Sequence, residues 1–409
     1  MVGHVTDTTA RIWVDVDRDG LLGVILTGAG RGGVKGETRI AGSPDGIALL
    51  EIAGLEPATE YAARFTLDGT PLPVEPPVVF RTFPRPATSA RIRIAFVSCA
   101  RVTWDSIQPA WSAVAADEPD AIVWLGDNGY LEHADSIRPA DYASAERIEF
   151  RYREMRGLPS VQPVLRSMAN YAIWDDRDYG DSDSDRTNPL RTEVAGIFER
   201  YWANPSYGQA PELDGIYSSF RIGDAEVFLL DDRYWRDPDT LPDTPAKTVL
   251  GAEQKTWLKE ALARSDARLK VVAIGHQVLV DYHGWESYAM FAHERAELVA
   301  WIRERRIEGV VIVNGDRHLS ELMRASFEGL YPLYELTASP IANRPFTDGL
   351  ELPNPLRIGG YAAGDSYGIL ELDTTEPPGR LVILVKDARG QEVLRHEVML
   401  DELEFPPWR

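Results

Sequence analysis

The chain has 409 residues, of which 44% are hydrophobic and 26% charged, and its formal net charge at pH 7 is -21. This length exceeds that of one ordinary domain, so we expect two domains or one large domain with an appendage. The negative charge disfavours binding to duplex nucleic acid or to an anionic lipid surface, since both need a basic footprint. A single cysteine excludes an internal disulfide. The sequence contains no run of 18 apolar residues, so no transmembrane segment is expected.

The first residues lack the basic region and the apolar stretch of a signal peptide. This absence predicts a cytoplasmic protein, or a periplasmic or secreted one if an export signal has been removed. The sequence does not predict an oligomeric state.

Residues 1–83 have the pattern of an all-β domain, with short alternating segments separated by Gly, Pro and Asp. The strand candidates are 9–16, 47–52 and 61–67. The segment Leu55–Tyr61 resembles the corner of fibronectin type III modules, so we expect a small β-sandwich. Pro84 and Pro86 interrupt regular structure, which makes residues 85–89 a predicted linker.

Residues 90–409 alternate apolar strands with amphipathic segments, which predicts a layered α/β domain. The helix candidates are 103–117, 139–156, 190–203, 251–265 and 293–306. Three apolar segments near the C-terminus are expected to be antiparallel strands that extend the sheet, at 367–373, 380–386 and 392–398.

Two apolar runs in this second part, 121–127 and 310–316, both end in Gly-Asp. Each predicts a buried strand followed by a sharp turn that exposes the aspartate at the carboxyl edge of a sheet, where α/β proteins bind ligands. Three more apolar runs, 92–99, 171–178 and 269–276, end in a comparable way. Taken one by one, the five ends carry a cysteine, an aspartate, an aspartate, a histidine, and an aspartate together with a histidine. This is a ligand set for two or more metal ions.

The individual residues support this interpretation to different degrees. Asp127 can bridge two cations, and Tyr130 can turn its phenolate back toward the same ion, although Asp-Asn-Gly is also a common turn sequence. Asp316 and His318 occupy alternate positions after a strand and can address neighbouring ions. Cys99 ends a strand between small residues, which favours a thiolate ligand over the commoner buried structural cysteine.

Other charged segments have two interpretations each. Residues 174–181 are rich in aspartate, which indicates either a cation site or a solvated loop. Arg233 follows a further apolar strand, where it can bind phosphate oxygens or form a salt bridge with the acidic loops. His276 is ambiguous, and the remaining histidines are interpreted as surface or structural residues: His4, His133, His283, His293 and His396.

Taken together, these segments resemble the PhoD-type alkaline phosphatase family of the calcineurin-like metallophosphoesterase superfamily. The motifs that carry the resemblance are Val97–Cys99, Gly126–Tyr130, Trp174–Gly180, Leu230–Arg233, Asn314–Glu321 and Glu335–Pro340. The resemblance covers nearly the whole chain. It implies metallophosphoesterase-like layered β-sheets flanked by helices, preceded by a small fibronectin type III-like β-sandwich.

The resemblance also implies a metal cluster of Fe³⁺ with Ca²⁺, or with Zn²⁺ or Mn²⁺, that hydrolyses small phosphate esters. Carried over by position, the iron-like ion would be held by Cys99, Asp127, Tyr130 and His318. The second ion would be held by Asp127, Asp176 and Asp316, with His276 as a possible further ligand, matching the lone histidine of the wider superfamily. The residues assigned to catalysis are Asn128, Arg177, Asp178 and Arg233.

One position departs from the family pattern. The family usually has histidine where this chain has Arg177. Arginine binds a phosphate but does not donate a proton at neutral pH, so esters with good leaving groups are the expected substrates unless a carboxyl such as Asp178 supplies the proton.

The leading hypothesis is therefore a metal-dependent phosphoric ester hydrolase that uses a metal-activated water. The alternatives are a phosphotriesterase-like hydrolase and a catalytically silent protein that binds metal or phosphate, with the β-sandwich as its interaction module. An adhesion protein built around the sandwich is poorly supported, because the site-like residues lie outside the sandwich.

Overall fold

The computed structural model describes residues 1–28, 33–40, 46–105, 107–130, 144–209, 215–281 and 286–406. The strands of the first part are β1 (Val2–Val5), β2 (Thr9–Asp15), β3 (Gly20–Gly28), β4 (Val34–Ile40), β5 (Ile47–Ala53), β6 (Glu60–Leu67), β7 (Thr70–Leu72) and β8 (Val78–Arg81). The later strands are β9 (Arg91–Val97), β10 (Ala121–Leu125), β11 (Ala169–Ile173), β12 (Ser218–Ile222), β13 (Ala225–Leu229), β14 (Leu269–Ala273), β15 (Val310–Asn314), β16 (Ser320–Ala325), β17 (Leu333–Thr337), β18 (Arg357–Tyr361), β19 (Ser366–Asp373), β20 (Arg380–Asp387) and β21 (Glu392–Met399). The α-helices are α1 (Pro109–Ala116), α2 (Ala145–Gly157), α3 (Gln162–Ser167), α4 (Asp176–Tyr179), α5 (Arg191–Tyr201), α6 (Gly251–Arg264) and α7 (Ala292–Glu304).

The first eight strands form two antiparallel sheets, one in the order β1-β2-β5 and one in the order β4-β3-β6-β7 with β8 also on β6. The Tyr61 hydroxyl accepts a hydrogen bond from the backbone nitrogen of Glu56 at 2.9 Å. This is the contact of a tyrosine corner in immunoglobulin-like sandwiches. It supports the predicted fibronectin type III-like module, whose boundary at residue 83 stays a prediction.

The rest of the chain is built on two larger mixed sheets. In one, with the order β11-β10-β9-β19-β20-β21, three parallel strands continue into the three antiparallel strands expected near the C-terminus. In the other, with the order β12-β13-β14-β15-β17-β16-β18, the four strands from β13 to β17 are parallel. The predicted layered α/β fold is therefore confirmed.

The five helix candidates correspond to α1, α2, α5, α6 and α7, whereas the two shorter helices α3 and α4 have no counterpart among the candidates. The candidate at 103–117 begins only at Pro109, because proline is compatible with a helix's first turn but lacks the amide needed further inside. The first residues of the candidate at 139–156, up to residue 143, lie outside the described residues, as do His133 and His283. Among the residues that the structure describes, no helix is both long and apolar enough to cross a membrane.

Glycines allow the loops at the carboxyl edges of the two large sheets to pack closely, within one sheet at Gly126 and between the two sheets at Gly315. Gly126, after β10, has φ of +98°, and a Cβ there would lie 2.8 Å from the backbone nitrogen of Asp175. A Cβ on Gly315, after β15, would collide with the side chain of Ser98 at the end of β9. Strand ends from both sheets therefore face one another across a short distance.

Candidate metal centre

Five of the predicted metal ligands share an unusual backbone conformation. Positive φ angles occur at Cys99 (57°), Asp127 (56°), Tyr130 (40°), Asp316 (61°) and His318 (52°). Residues other than glycine rarely adopt this left-handed conformation, and where they do they are concentrated at functional sites. Each of these residues follows a strand whose end is fixed by the sheet, so the turn directs the side chain back over the edge.

The first side-chain group consists of Cys99, Asp127 and His318, whose ligand atoms all lie within 4.8 Å of one another. The Cys99 thiol is fully buried and lies 3.7 Å from Asp127 Oδ2. The Tyr130 hydroxyl contacts His318 Nε2 directly. Sulfur, carboxylate, phenol and imidazole groups are therefore brought together from both sheets.

The second group extends from the first through Asp127, with Asp175 and Asp176 within the same 4.8 Å limit. A third group continues from Asp176 to Asp183 and Glu286. Asp127 is thus the member shared by the group with sulfur and imidazole and the group of carboxylates.

The donor set fits bound cations, because the carboxylates repel one another when ionised. Burial, together with the nearby carboxylates of Asp176 and Asp178, raises the pKa of Asp127 well above its usual value. Burial raises the pKa of Asp316 to about 7, against the opposing effect of Arg317. Burial, and then Asp127, also raises the pKa of the Cys99 thiol. Cations bound among these groups would reverse these shifts.

Imidazole orientation at His318 is also suited to a ligand. Its Nδ1 lies 2.9 Å from the backbone oxygen of Arg344, so this nitrogen donates and Nε2 is left as the basic one. Hydrogen bonds of this kind fix the tautomer of metal-binding histidines.

The cavity above these groups has a volume of about 850 Å³. Among the described residues its wall includes Asp127, Tyr130, Asp176, Asp316 and His318 together with the arginines Arg101, Arg177, Arg317 and Arg344. The Arg177 backbone nitrogen donates to Asp127 Oδ1 at 3.2 Å, and its guanidinium donates to the Ser182 hydroxyl at 3.1 Å. Position 177 therefore lies at the candidate metal centre.

Three residues that the sequence assigned to catalysis lie behind this wall. Asp178 accepts from the backbone nitrogens of Asn128 at 2.9 Å and Asp175 at 3.1 Å, and Asn128 donates to the Ile173 carbonyl at 2.8 Å. Arg233 is fully buried, and its guanidinium binds Asp175 and Glu286. In this arrangement these side chains hold the ligand-bearing loops.

His276 lies in a separate buried group with Asp175 and Asp232, whose ligand atoms are within 4.8 Å of one another. Its Nδ1 is 2.6 Å from Asp232 Oδ2, and its Nε2 is 3.2 Å from Arg236 Nη1. The groups found at Asp127 do not include it, and Asp175 is the member that links the two regions.

The sequence does not identify Asp175, Asp183 and Glu286 as members of the acidic groups. Asp175 lies within the aspartate-rich motif, where nothing in the sequence distinguishes it from its neighbours. Asp183 has a positive φ of 57°, which no local sequence pattern indicates. Glu286 approaches from a distant segment, and burial is outweighed there by Arg233 and Arg236, which lower its pKa to about 2.

Comparison with known proteins agrees with this geometry. A family model described as PhoD-like phosphatase matches residues 94–358. The chain is 22% identical over 342 residues to alkaline phosphatase D of Bacillus subtilis (strain 168), covering 73% of this chain and 56% of the relative. It thus spans a little more than half the length of that relative.

Two solved structures have the same fold at low sequence identity. A structure of PhoD matches with a TM-score of 0.77 at 18% identity, covering 96% of this chain and 91% of the other. The purple acid phosphatase PPD1 from yellow lupin (Lupinus luteus) seeds matches with a TM-score of 0.70 at 12% identity, covering 97% and 73%. Since the family model covers well over half of the sequence, the chain belongs to the PhoD-like phosphatase family.

Proposed function

We propose that this protein hydrolyses small phosphate esters with the help of bound metal ions. The observation that carries the proposal is the convergence of Cys99, Asp127, Tyr130 and His318 at the floor of a cavity whose wall is rich in arginine. Membership of the PhoD-like phosphatase family supports the same reaction class. Metal ions held there would polarise phosphoryl oxygens and lower the pKa of a water molecule.

The proposed metals are Fe³⁺ with Ca²⁺. Thiolate, imidazole and phenolate donors suit a transition metal, so Cys99, Tyr130, His318 and Asp127 are assigned to the iron-like ion. Carboxylates suit a hard cation, so Asp127, Asp176 and Asp316 are assigned to the calcium-like ion. Zn²⁺ or Mn²⁺ in either position fits the same donors less selectively.

Arg177 is proposed to bind and orient the phosphoryl group. Its guanidinium offers a planar set of donors, and its own backbone is tied to Asp127. It does not deliver a proton to a leaving alcohol, so a substrate with an acidic leaving group is favoured.

Three residues are proposed to hold the loops that carry the metal ligands in place, without contacting the substrate: Asn128, Asp178 and Arg233. The hydrogen bonds of Asp178 to Asn128 and Asp175 support a role in fixing both loops. Arg233 neutralises Asp175, which would otherwise be a buried carboxylate among others. His276 stays a candidate for a further ligand through the shared Asp175.

A phosphotriesterase-like hydrolase is the second candidate, and Arg177 is the observation that favours it, because triesters with aryl leaving groups need no general acid. A silent metal-binding or phosphate-binding protein is the third. The three are separated by the rates at which mono-, di- and triesters of 4-nitrophenol release nitrophenolate.

The test combines those rates with elemental analysis of the purified protein. We expect two or more metal equivalents, loss of turnover with a chelator, and recovery when metals are restored. Asp127→Asn should lose most of the metal and reduce the rate by orders of magnitude. Asp348→Asn, an exposed change in the same cavity wall, is the charge-matched control. Full metal content without turnover of any ester would leave only the silent binding protein.

A further inference from the structure

The side of the cavity formed by Arg101, Asn343 and Arg344 is not used by the reaction proposed above. These residues come from two segments that lie side by side. Ala100 and Ala342 form an isolated parallel bridge, and the backbone nitrogen of Arg101 donates to the Ala342 carbonyl at 2.9 Å. Two arginines and an asparagine are thereby placed on one wall of the cavity.

This wall is tied directly to the metal centre. The Arg344 carbonyl accepts from His318 Nδ1 at 2.9 Å, and the backbone nitrogen of Phe346 donates to the His318 carbonyl at 2.7 Å. A group bound against this wall would therefore lie next to the reacting phosphoryl group, in the same cavity.

Asn343 supplies the strongest indication that this wall binds a ligand. It is only 2% exposed, and its Oδ1 accepts from the Arg344 backbone nitrogen at 2.8 Å. Its Nδ2, however, has no hydrogen-bond partner within the described part of the chain, although the atom is buried and the residue lines the cavity. A buried donor left unpaired costs about 1–3 kcal/mol, so a ligand that accepts from it would recover that cost.

The charge of the wall indicates which ligand that is. Among the described residues that line this cavity, four are arginines and five are aspartates, and the charged side chains of the Arg101–Asn343–Arg344 side are both arginines, in a chain with a net charge of -21. Arg344 is exposed, and no ion pair of its guanidinium is present among the described residues. Asp183 and Asp348 also line the cavity. Asp183 belongs to the third acidic group, with Asp176 and Glu286, and Asp348 follows Arg344 by four residues. A volume of about 850 Å³ is that of a site for a whole organic ligand rather than for one phosphoryl group.

We propose that Arg101, Asn343 and Arg344 form a second anion subsite, which selects phosphate esters that carry another anionic group close to the reacting phosphorus. Phosphate is the expected second group, because guanidinium forks and an amide donor match its oxygens. The inference rests on the proposed function and specifies its substrate class.

The test uses two chromogenic diesters that differ only in the second anion: thymidine 5′-(4-nitrophenyl phosphate) with and without a 3′-phosphate. The reacting group and the leaving group are the same in both, so the ratio of their kcat/KM values, taken from initial rates, isolates the subsite. We expect the metal-loaded protein to favour the 3′-phosphorylated compound by about 10- to 100-fold at low salt, as charge-assisted hydrogen bonds typically give. Added salt should reduce the ratio.

Arg344→Gln, at an exposed position, should reduce the ratio with little risk to folding, and Arg101→Gln should act in the same direction. Asn343→Asp keeps the Oδ1 acceptor and replaces the amide donor with a repelling charge, so it should reduce the ratio most. The matched control is Arg264→Gln, which removes the same charge from the exposed end of α6. A wild-type ratio near one, or a ratio that none of the three substitutions changes, would overturn the subsite.

The failure of the proposed function gives a different result. In that case neither compound releases nitrophenolate in the metal-loaded protein. Calorimetric titration of the same protein with the same two compounds then measures the subsite directly. An affinity ratio of tenfold or more that Arg344→Gln abolishes supports it, and equal affinities refute it.

Discussion

Without bound metal, ionisation of the carboxyl groups of the candidate metal centre should destabilise the protein as pH rises. The pKa of Asp316 gives the size of this effect. Its pKa is about 7 against an ordinary value of 3.8, chiefly because of burial. Between these two values the folded protein holds a proton that the unfolded chain has lost, so the free energy of unfolding falls with increasing pH. A shift of about three units corresponds to roughly 4 kcal/mol, fully lost above pH 7.

This cost can be measured as a difference in melting temperature. An unfolding entropy of about 2.1 cal/mol/K per residue gives roughly 0.9 kcal/mol/K for the 409 residues, so 4 kcal/mol corresponds to about 5 °C. We expect Asp316→Asn to raise the melting temperature of chelator-treated protein by up to that amount at pH 8, and to change it little at pH 4.

In the metal-loaded protein, Asp316→Asn should instead lower the melting temperature, because there the cation compensates the ionised carboxylate that asparagine removes. Thermal unfolding followed by circular dichroism measures the melting temperature of the unaltered protein and of Asp316→Asn, each with and without chelator. Asp348→Asn serves as the control for charge change alone. The reasoning would be refuted if the metal-free protein were at least as stable at pH 8 as at pH 5 and Asp316→Asn did not stabilise it.

Three further outcomes are expected. If iron is bound, the purified protein should have a visible charge-transfer band, and Cys99→Ser should shift it; a colourless, fully active protein that holds only Zn²⁺ or Ca²⁺ would contradict the iron assignment. Arg177→His should increase the turnover of alkyl esters relative to aryl esters by about 10²-fold or more if it restores a proton donor, whereas equal effects on both would assign position 177 to binding. Gly126→Ala should destabilise the protein by more than about 1 kcal/mol, since φ is +98° and the new Cβ would meet Asp175; an unchanged denaturation midpoint would contradict this.

The strand-end positions of the proposed ligands can be identified from the sequence because the information for them is local. An apolar run followed by Gly-Asp specifies both a buried strand and the turn after it, so Asp127 and Asp316 are identified from single segments. That these ends then come together depends on the order of strands in two sheets. Residues whose role depends on that order, such as Glu286 against Arg233, are not identifiable from any local pattern.

The same distinction explains the residues whose surroundings differ from expectation. Arg233 follows a strand end, as a phosphate-binding arginine would, but Asp175 and Glu286 occupy its guanidinium inside the protein. The sequence is compatible with a phosphate-binding role and with a salt bridge to the acidic loops, and only the packing of the two sheets decides between the two. Asn128 likewise follows Asp127 in sequence, yet its amide turns inward to the Ile173 carbonyl.

Binding of phosphate should depend strictly on metal, because the cavity changes sign when cations enter it. The described residues of its wall include five carboxyl groups and four guanidinium groups, so these arginines alone do not make it positive. Two cations of charge two or three reverse that balance and give the field that attracts a phosphate dianion. We therefore expect inorganic phosphate to raise the melting temperature of the metal-loaded protein and to leave the chelator-treated protein unchanged. Stabilisation of both forms by phosphate would mean that the arginines suffice on their own, and that the carboxylates are far enough from the anion to be screened.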